Sequence, residues 1–189
     1  MTHDEVLSLF RRSGALLEGH FLLSSGLHSD QYLQSALVLQ YPGPAAALGA
    51  ALAERLRPLA PTIVLSPALG GIVIGQEVGR ALDVRAIFAE RQDGVLTLRR
   101  GFSLGAADRV VVVEDVLTTG KSTRETIAAA RTAGAQVVGA AAIIDRGTGA
   151  DRVDVAVHAL ARLQVPAYAA DACPLCARGT PAVKPGSRT

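Results

Sequence analysis

The sequence predicts an α/β fold, a mostly parallel sheet flanked by helices, on three observations. Short runs rich in Val and Ile recur along the chain: TIVLS (62–66), VRAIFA (84–89), RVVVV (109–113) and QVVGAAAII (136–144). They are nearly continuous in apolar residues, as strands covered on both faces are. Stretches with helical periodicity lie between them, the alternation that builds βαβ units.

Each element follows from its own residues. His3 to Arg12 places Val6, Leu9 and Phe10 on one helical face, and Gly14 stops it. Residues 20–39 read as two short strands around a turn at Gly26. Pro44 to Arg57 is a helix rich in Ala and Leu, opened by Pro44 and ended by Pro58. Strand 62–66 is followed by PALGG, and Ile72–Leu82 is the next helix, leading to strand 84–89. Residues 90–101, ERQDGVLTLRRG, carry Asp93-Gly94 and three arginines and read as an exposed hairpin or mobile loop. Strand 109–113, a helix over Ser122–Thr132 and strand 136–144 complete the pattern.

The chain of 189 residues, 49% apolar and 19% charged, is long enough for one domain with a sizeable core. No repeat or low-complexity linker divides it, so residues 1–189 are read as a single domain. A net charge of +2 argues for neither nucleic acid nor a membrane surface as partner. No apolar run approaches the roughly 20 residues of a membrane helix. The first residues carry early acids and lack the apolar core of a signal peptide, which makes the cytoplasm the default expectation. Cys173 and Cys176 are too few for a disulfide framework.

The chemistry centres on VVVVEDVLTTGKST, residues 110–123. Glu114 and Asp115 stand at the carboxyl end of a strand, where open parallel sheets bind ligands. The residues that follow, Val116, Leu117, Thr118, Thr119, Gly120, Lys121 and Ser122, lead into a helix, and Ser122 and Glu125 are spaced like a capping box. A helix start preceded by small hydroxyl and glycine residues offers N–H groups and a positive dipole end to a phosphate. The two carboxylates would repel that phosphate, so they must face something else: ribose hydroxyls, or a magnesium ion and its waters. A phosphate at one end and a diol at the other describe ribose 5-phosphate. The plainer reading is a strand that ends in solvent with two acids. A P-loop is excluded by Asp115, which stands where that motif needs its first glycine.

Glu114–Ser122 resembles the phosphoribosyl-pyrophosphate (PRPP) signature of the type I phosphoribosyltransferases. GHFLLSSGLHSDQYLQ (19–34), PALGG (67–71), ERQDGVLTLRRGF (90–102), IIDRGTG (143–149) and the C-terminal CPLCARGTPAVKPGSR together resemble the orotate phosphoribosyltransferases over nearly the whole chain. The resemblance implies the type I fold, with a small hood formed mainly by residues 1–40 with a C-terminal contribution and a mobile lid over about 90–102. It implies that Glu114 and Asp115 contact the ribose and that residues 116–122 hold the 5-phosphate. Ala68, Leu69, Gly70 and Gly71 would form the pyrophosphate loop. Thr118, Arg146 and Ser24 would bind orotate. Ser24 stands where many members carry a substrate-contacting lysine, and so keeps the place without the charge. Arg91, Arg99 and Arg100 would come from the lid of a neighbouring subunit in a homodimer and cover the pyrophosphate; the plain alternative is a solvated charged hairpin. The implied reaction joins PRPP and orotate, with Mg2+ held mainly by PRPP and water rather than by protein side chains. A purine-type phosphoribosyltransferase and a non-catalytic PRPP-binding regulator remain the alternatives.

Arg146 also has its own rationale, since a guanidinium grips a carboxylate through two hydrogen bonds. Cys173 and Cys176 supply half of a tetrahedral zinc set, and the four histidines, His3, His20, His28 and His158, show no matching spacing. The expectation is two reduced thiols, a zinc shared across a dimer being the alternative, with His20 and His28 structural or on the surface.

Overall fold

The computed structural model describes residues 1–23, 25–147 and 153–185. In chain order its elements are α1 (His3–Arg12), β1 (Leu16–Leu22), β2 (His28–Leu33), α2 (Ala36–Leu39), α3 (Pro42–Leu56), β3 (Ile63–Pro67), α4 (Gly71–Leu82), β4 (Arg85–Gln92), β5 (Val95–Leu98), β6 (Arg109–Leu117), α5 (Lys121–Thr132), β7 (Gln136–Asp145) and β8 (Val157–Arg162).

Six strands form one sheet in the order β5-β4-β3-β6-β7-β8. All neighbours are parallel except β4 and β5, which form a hairpin turned by Asp93 and Gly94. Both turn residues have positive φ, 50° and 85°, as a two-residue turn matched to strand twist requires. The predicted hairpin at 90–101 is therefore a sheet edge as far as Leu98.

The alternation along the central strands explains the two-sided core. On β6, Val111 and Val113 join the cluster that holds Leu48, Leu52, Ile74 and Val78 of α3 and α4. Val110 and Val112 join the opposite cluster, with Ile127 and Ala130 of α5. β3, buried at every residue, does the same with Val64 on one side and Ile63 and Leu65 on the other.

From β3 the chain crosses through α4 to β4, and from β6 it crosses through α5 to β7, moving away from β3. The order thus reverses between β3 and β6, and right-handed crossovers put α4 and α5 on opposite faces. The carboxyl ends of these two strands flank the switch point, the place where such sheets bind ligands.

β1 and β2 form a separate antiparallel pair. Its outer edges are taken by C-terminal chain: His28 bridges Tyr168, and Phe21 bridges Val183. Residues 20–39 differ from the expected pair of strands, because β1 starts earlier, at Leu16, and 36–39 closes into a helical turn, with the Leu39 N–H donating to the Ser35 carbonyl. β8 was not anticipated. Its VHALAR sequence has a single β-branched residue, and pairing with β7 places it in the sheet. The other predicted strands and helices are present, α1 with both ends as expected and the rest with ends shifted by at most four residues.

Candidate active site

Both loops singled out in the sequence meet at the switch point. β6 runs on to Leu117, so Glu114 and Asp115 lie inside its last turns rather than after it. Neighbouring strand residues face opposite ways. Glu114 follows Val112 toward α5, where its carboxylate accepts a hydrogen bond from the Thr123 hydroxyl. Asp115 follows Val113 toward α4 and lies against Gly70. A Cβ placed on Gly70 would come 2.8 Å from Asp115 Oδ1, so only glycine leaves that carboxylate in place.

Burial pushes the Glu114 carboxyl up to about 7, with the Asp115 charge adding to the shift and the Thr123 hydrogen bond opposing it. A carboxyl so placed favours its protonated form more than one in water does.

The loop 68–71 leaves β3 with its Ala68 N–H donating to the Ala89 carbonyl at 2.8 Å. The Ala68–Leu69 peptide is cis and Leu69 is exposed. Gly71 begins α4 close under β6, with its missing Cβ 3.0 Å from the Val113 carbonyl oxygen. The pyrophosphate-loop candidates Ala68, Leu69, Gly70 and Gly71 therefore stand directly beside the acidic pair.

On the other side, Leu117 is buried, and Thr118, Thr119 and Gly120 turn the chain into α5. The expected capping box does not form. Gly120, at φ 74°, is the N-cap, and no side chain caps the helix. Glu125 is drawn instead to Arg91 at 2.6 Å, with Lys121 3.9 Å from its other oxygen. The helix start is left with backbone donors for a ligand, in keeping with an anion site. The Thr119 hydroxyl accepts weakly from the Lys121 N–H at 3.4 Å, and Arg124 donates to the Thr119 carbonyl at 2.9 Å.

Next to this loop lies a cavity of about 500 Å³ between the β1–β2 turn and the ends of β6 and β7. Thr118, Thr119 and Arg146 form its floor, and Leu27, Tyr32 and Ala167 are among its apolar walls. Arg146 is held by its N–H, which donates to the Leu117 carbonyl at 2.8 Å. Burial lowers the affinity of its guanidinium for its proton, and its Nε is buried with no hydrogen-bond partner. A buried, charged donor of this kind is costly unless something pairs with it.

The lid arginines are tied down in the single chain. Arg100 makes a two-pronged pair with Glu90, at 2.8 and 2.7 Å, and lies over the Phe88 ring. Arg91 donates to Glu125 and to the Gly94 carbonyl. Arg99 is exposed. Thus Arg91 contacts α5, while among the described residues neither Arg99 nor Arg100 bonds to Glu114 or Asp115. Ser24 lies outside the described residues, as do Thr148 and Gly149 of the IIDRGTG stretch.

Sequence reasoning missed one constellation. His20, His28, Cys173 and Cys176 converge within one chain, with all four ligand atoms within 4.8 Å of one another. Both cysteines are free thiols, and the four residues come from a single chain, whereas the sequence offered a zinc only as one shared across a dimer. About 150 residues separate the two pairs, so only the cysteine spacing itself carried a signal.

Residues 38–164 match the phosphoribosyl transferase domain family. An orotate phosphoribosyltransferase from Acidithiobacillus ferrooxidans is 54% identical, with 100% of this chain and 98% of that protein aligned. One from Pelotomaculum thermopropionicum is 50% identical over 100% of this chain and 99% of its own length. The crystal structure of orotate phosphoribosyltransferase from Aeropyrum pernix superposes with a TM-score of 0.72 at 26% identity, covering 84% of this chain and 94% of the other. The chain belongs to the phosphoribosyltransferase family and, within it, to the orotate phosphoribosyltransferases.

Proposed function

We propose that the switch-point site transfers the phosphoribosyl group of PRPP to orotate, giving orotidine 5′-monophosphate and pyrophosphate, a step of pyrimidine nucleotide synthesis. The observation that carries this reading is Arg146, a half-buried guanidinium whose Nε is buried and unpartnered on the floor of a cavity beside the loop at 118–120. A flat heterocycle bearing a carboxylate satisfies both the cavity and the charge.

The roles follow from position. The start of α5, with Thr118 to Ser122, holds the 5-phosphate. Glu114 and Asp115 reach the ribose hydroxyls from the two faces of the strand end. Ala68 to Gly71 cradle the pyrophosphate beside Asp115. Thr118 and Arg146 orient orotate so that a ring nitrogen lines up with C1 of the ribose. The C1–oxygen bond to pyrophosphate breaks, the C1–nitrogen bond forms, and the nitrogen's proton passes to water. No protein nucleophile is needed, and catalysis rests on positioning and on charge.

Mg2+ is the cofactor we assign. The all-oxygen pair Glu114 and Asp115 suits a hard cation. When bound with PRPP, the ion would neutralise the charge that builds on the departing pyrophosphate. The carboxylates would orient its water shell rather than replace it.

We further assign a homodimer in which Arg99 and Arg100 serve the partner's site. In support, among the described residues neither bonds to Glu114 or Asp115 of its own chain. The β1–β2 pair would act as a hood and residues 90–102 as the lid. The assigned compartment is the cytoplasm; among the described residues no helix is long and apolar enough to cross a membrane.

The test is turnover with PRPP, Mg2+ and a panel of bases. Orotate should be consumed and uracil, hypoxanthine and adenine left intact. Turnover of hypoxanthine or uracil with none of orotate would replace this reading.

A further inference from the structure

A second site lies away from the active-site floor, where the β1–β2 pair meets the C-terminal segment. His20 Nε2 is 2.7 Å from His28 Nδ1, 3.5 Å from Cys173 Sγ and 3.8 Å from Cys176 Sγ. Cys176 Sγ is 3.3 Å from His28 Nδ1. Around a tetrahedral zinc with Zn–N of about 2.05 Å and Zn–S of about 2.3 Å, neighbouring ligand atoms stand about 3.3–3.8 Å apart. Three of these four separations fall in that range. The fourth is a ring-to-ring hydrogen bond, which an ion would spread by about half an ångström.

The orientation of the side chains argues as strongly as their spacing. His20 Nδ1 is 2.7 Å from the Thr180 carbonyl oxygen. That oxygen only accepts, so Nδ1 carries the proton and the Nε2 lone pair is left pointing into the cluster. Metal-ligating histidines make this same outer hydrogen bond.

The backbone is shaped to bring the four together. Between Glu18 and Phe21 the β1–β2 register slips, so that Gly19 and His20 together face the single residue Asp30. Such a bulge re-aims a side chain. It turns His20 into the interior, where it is 4% exposed. His28 begins β2 and is fixed by two backbone bonds of 2.8 Å with Tyr168. The CPLC segment is a tight turn, closed by the Ala177 N–H on the Cys173 carbonyl at 3.1 Å and the Gly179 N–H on the Cys176 carbonyl at 2.8 Å. Both cysteines are free thiols.

We propose that His20, His28, Cys173 and Cys176 bind one structural zinc ion, which pins the C-terminal segment to the β1–β2 pair. Four protein ligands leave no open position for substrate, so the site is structural rather than catalytic. Two thiolates balance the dication, and the thiol protons pass to solvent, with no change of oxidation state. The consequence reaches the active site through the chain. Leu23 and Leu27 at the tip of the pair, and Val165 and Ala167 just before Tyr168, are walls of the orotate cavity. The ion thereby fixes two walls of that cavity against each other.

The test needs no turnover assay, so its outcome is independent of the assigned reaction. Untagged protein, purified under reducing conditions, is analysed for metal by mass spectrometry and titrated with cobalt(II) after zinc is stripped. The expected results are about one zinc per chain, as a four-ligand site takes, and a thiolate-to-cobalt charge-transfer band with intense visible ligand-field bands. Cys176→Ser and His28→Asn should lose both, whereas His158→Asn, outside the cluster, should keep them. Stripping should also speed proteolytic cleavage within residues 165–185 at least about tenfold, because the segment loses its anchor. If Cys173→Ser fails to fold, the wild-type metal content and the exposed Cys176→Ser variant still decide. Zinc-free protein that takes up no cobalt, or zinc retained in full by Cys176→Ser, would overturn the proposal.

Discussion

The Thr123 hydroxyl donates to the Glu114 carboxylate, joining the end of β6 to the first turn of α5. In the proposed site this contact links the acid assigned to the ribose with the helix start assigned to the 5-phosphate. Burial and the neighbouring Asp115 charge nevertheless raise the Glu114 carboxyl to about 7, against the pull of this hydrogen bond.

That shift has a sign. The folded chain holds a proton on Glu114 that the unfolded chain releases near 4.5, so the free protein should lose stability as pH rises from about 4.5 through about 7. Glu114→Gln should flatten this slope, worth about 1–3 kcal/mol across the window. Thermal unfolding from pH 5 to 8 reads it. A variant as steep as wild type would place the titration elsewhere. Ligand binding acts in the opposite direction: hydroxyl donors and Mg2+ favour the ionised carboxylate, so PRPP binding near pH 6.5 should release protons. Calorimetry in buffers of different ionisation enthalpy measures that release, and proton uptake would contradict it.

Asp115→Asn keeps the shape and removes the charge. Turnover should fall about 100-fold or more, the scale of losing a placed electrostatic group, with little change in melting temperature. Gly70→Ala approaches the same carboxylate from outside. Its backbone is ordinary helix, φ −56°, so any loss comes from the Cβ placed 2.8 Å from Asp115 Oδ1. We expect a rise in KM for PRPP of about tenfold, roughly 1.4 kcal/mol, with the fold intact. Unchanged kinetics would separate Asp115 from the loop.

Arg146→Ala should raise KM for orotate by about 10–100-fold, the worth of a charge-assisted pair, and leave KM for PRPP within about twofold. Arg146→Lys should recover little, because an ammonium cannot make the planar two-pronged contact. Equal effects on both substrates would take Arg146 out of base recognition.

If the lid serves the neighbouring subunit, Arg99→Ala/Arg100→Ala and Asp115→Asn should complement each other. Mixed at equal ratio, with subunit exchange demonstrated, they should regain up to about a quarter of wild-type activity through heterodimers carrying one intact site. No recovery would confine each lid to its own chain.

The parts of the site that were legible in the sequence are those set by local chemistry. An apolar run ending in two acids, then hydroxyls and glycine before a helix, fixed the place of residues 114–122. PALGG marked the loop after the neighbouring strand. The capping box was misread because the motif cannot show competition: Gly120 takes the cap in the left-handed region, and Arg91 from a distant hairpin claims Glu125. β8 escaped because its residues favour a strand only when β7 supplies the edge. The His20–His28–Cys173–Cys176 cluster was illegible for a different reason. It depends on a bulge in β1 and on the C-terminal chain returning along both edges of the pair, and neither leaves a spacing to read.

In the proposed function one strand end and the turn after it hold a sugar phosphate by both ends. A crystal structure with PRPP, Mg2+ and orotate tests it most directly. The ribose hydroxyls should lie within hydrogen-bond reach of Glu114 and Asp115, the 5-phosphate on the backbone N–H groups of residues 118–122, and the orotate carboxylate on Arg146. A 5-phosphate bound away from the start of α5, or a ribose turned away from both acids, would contradict it.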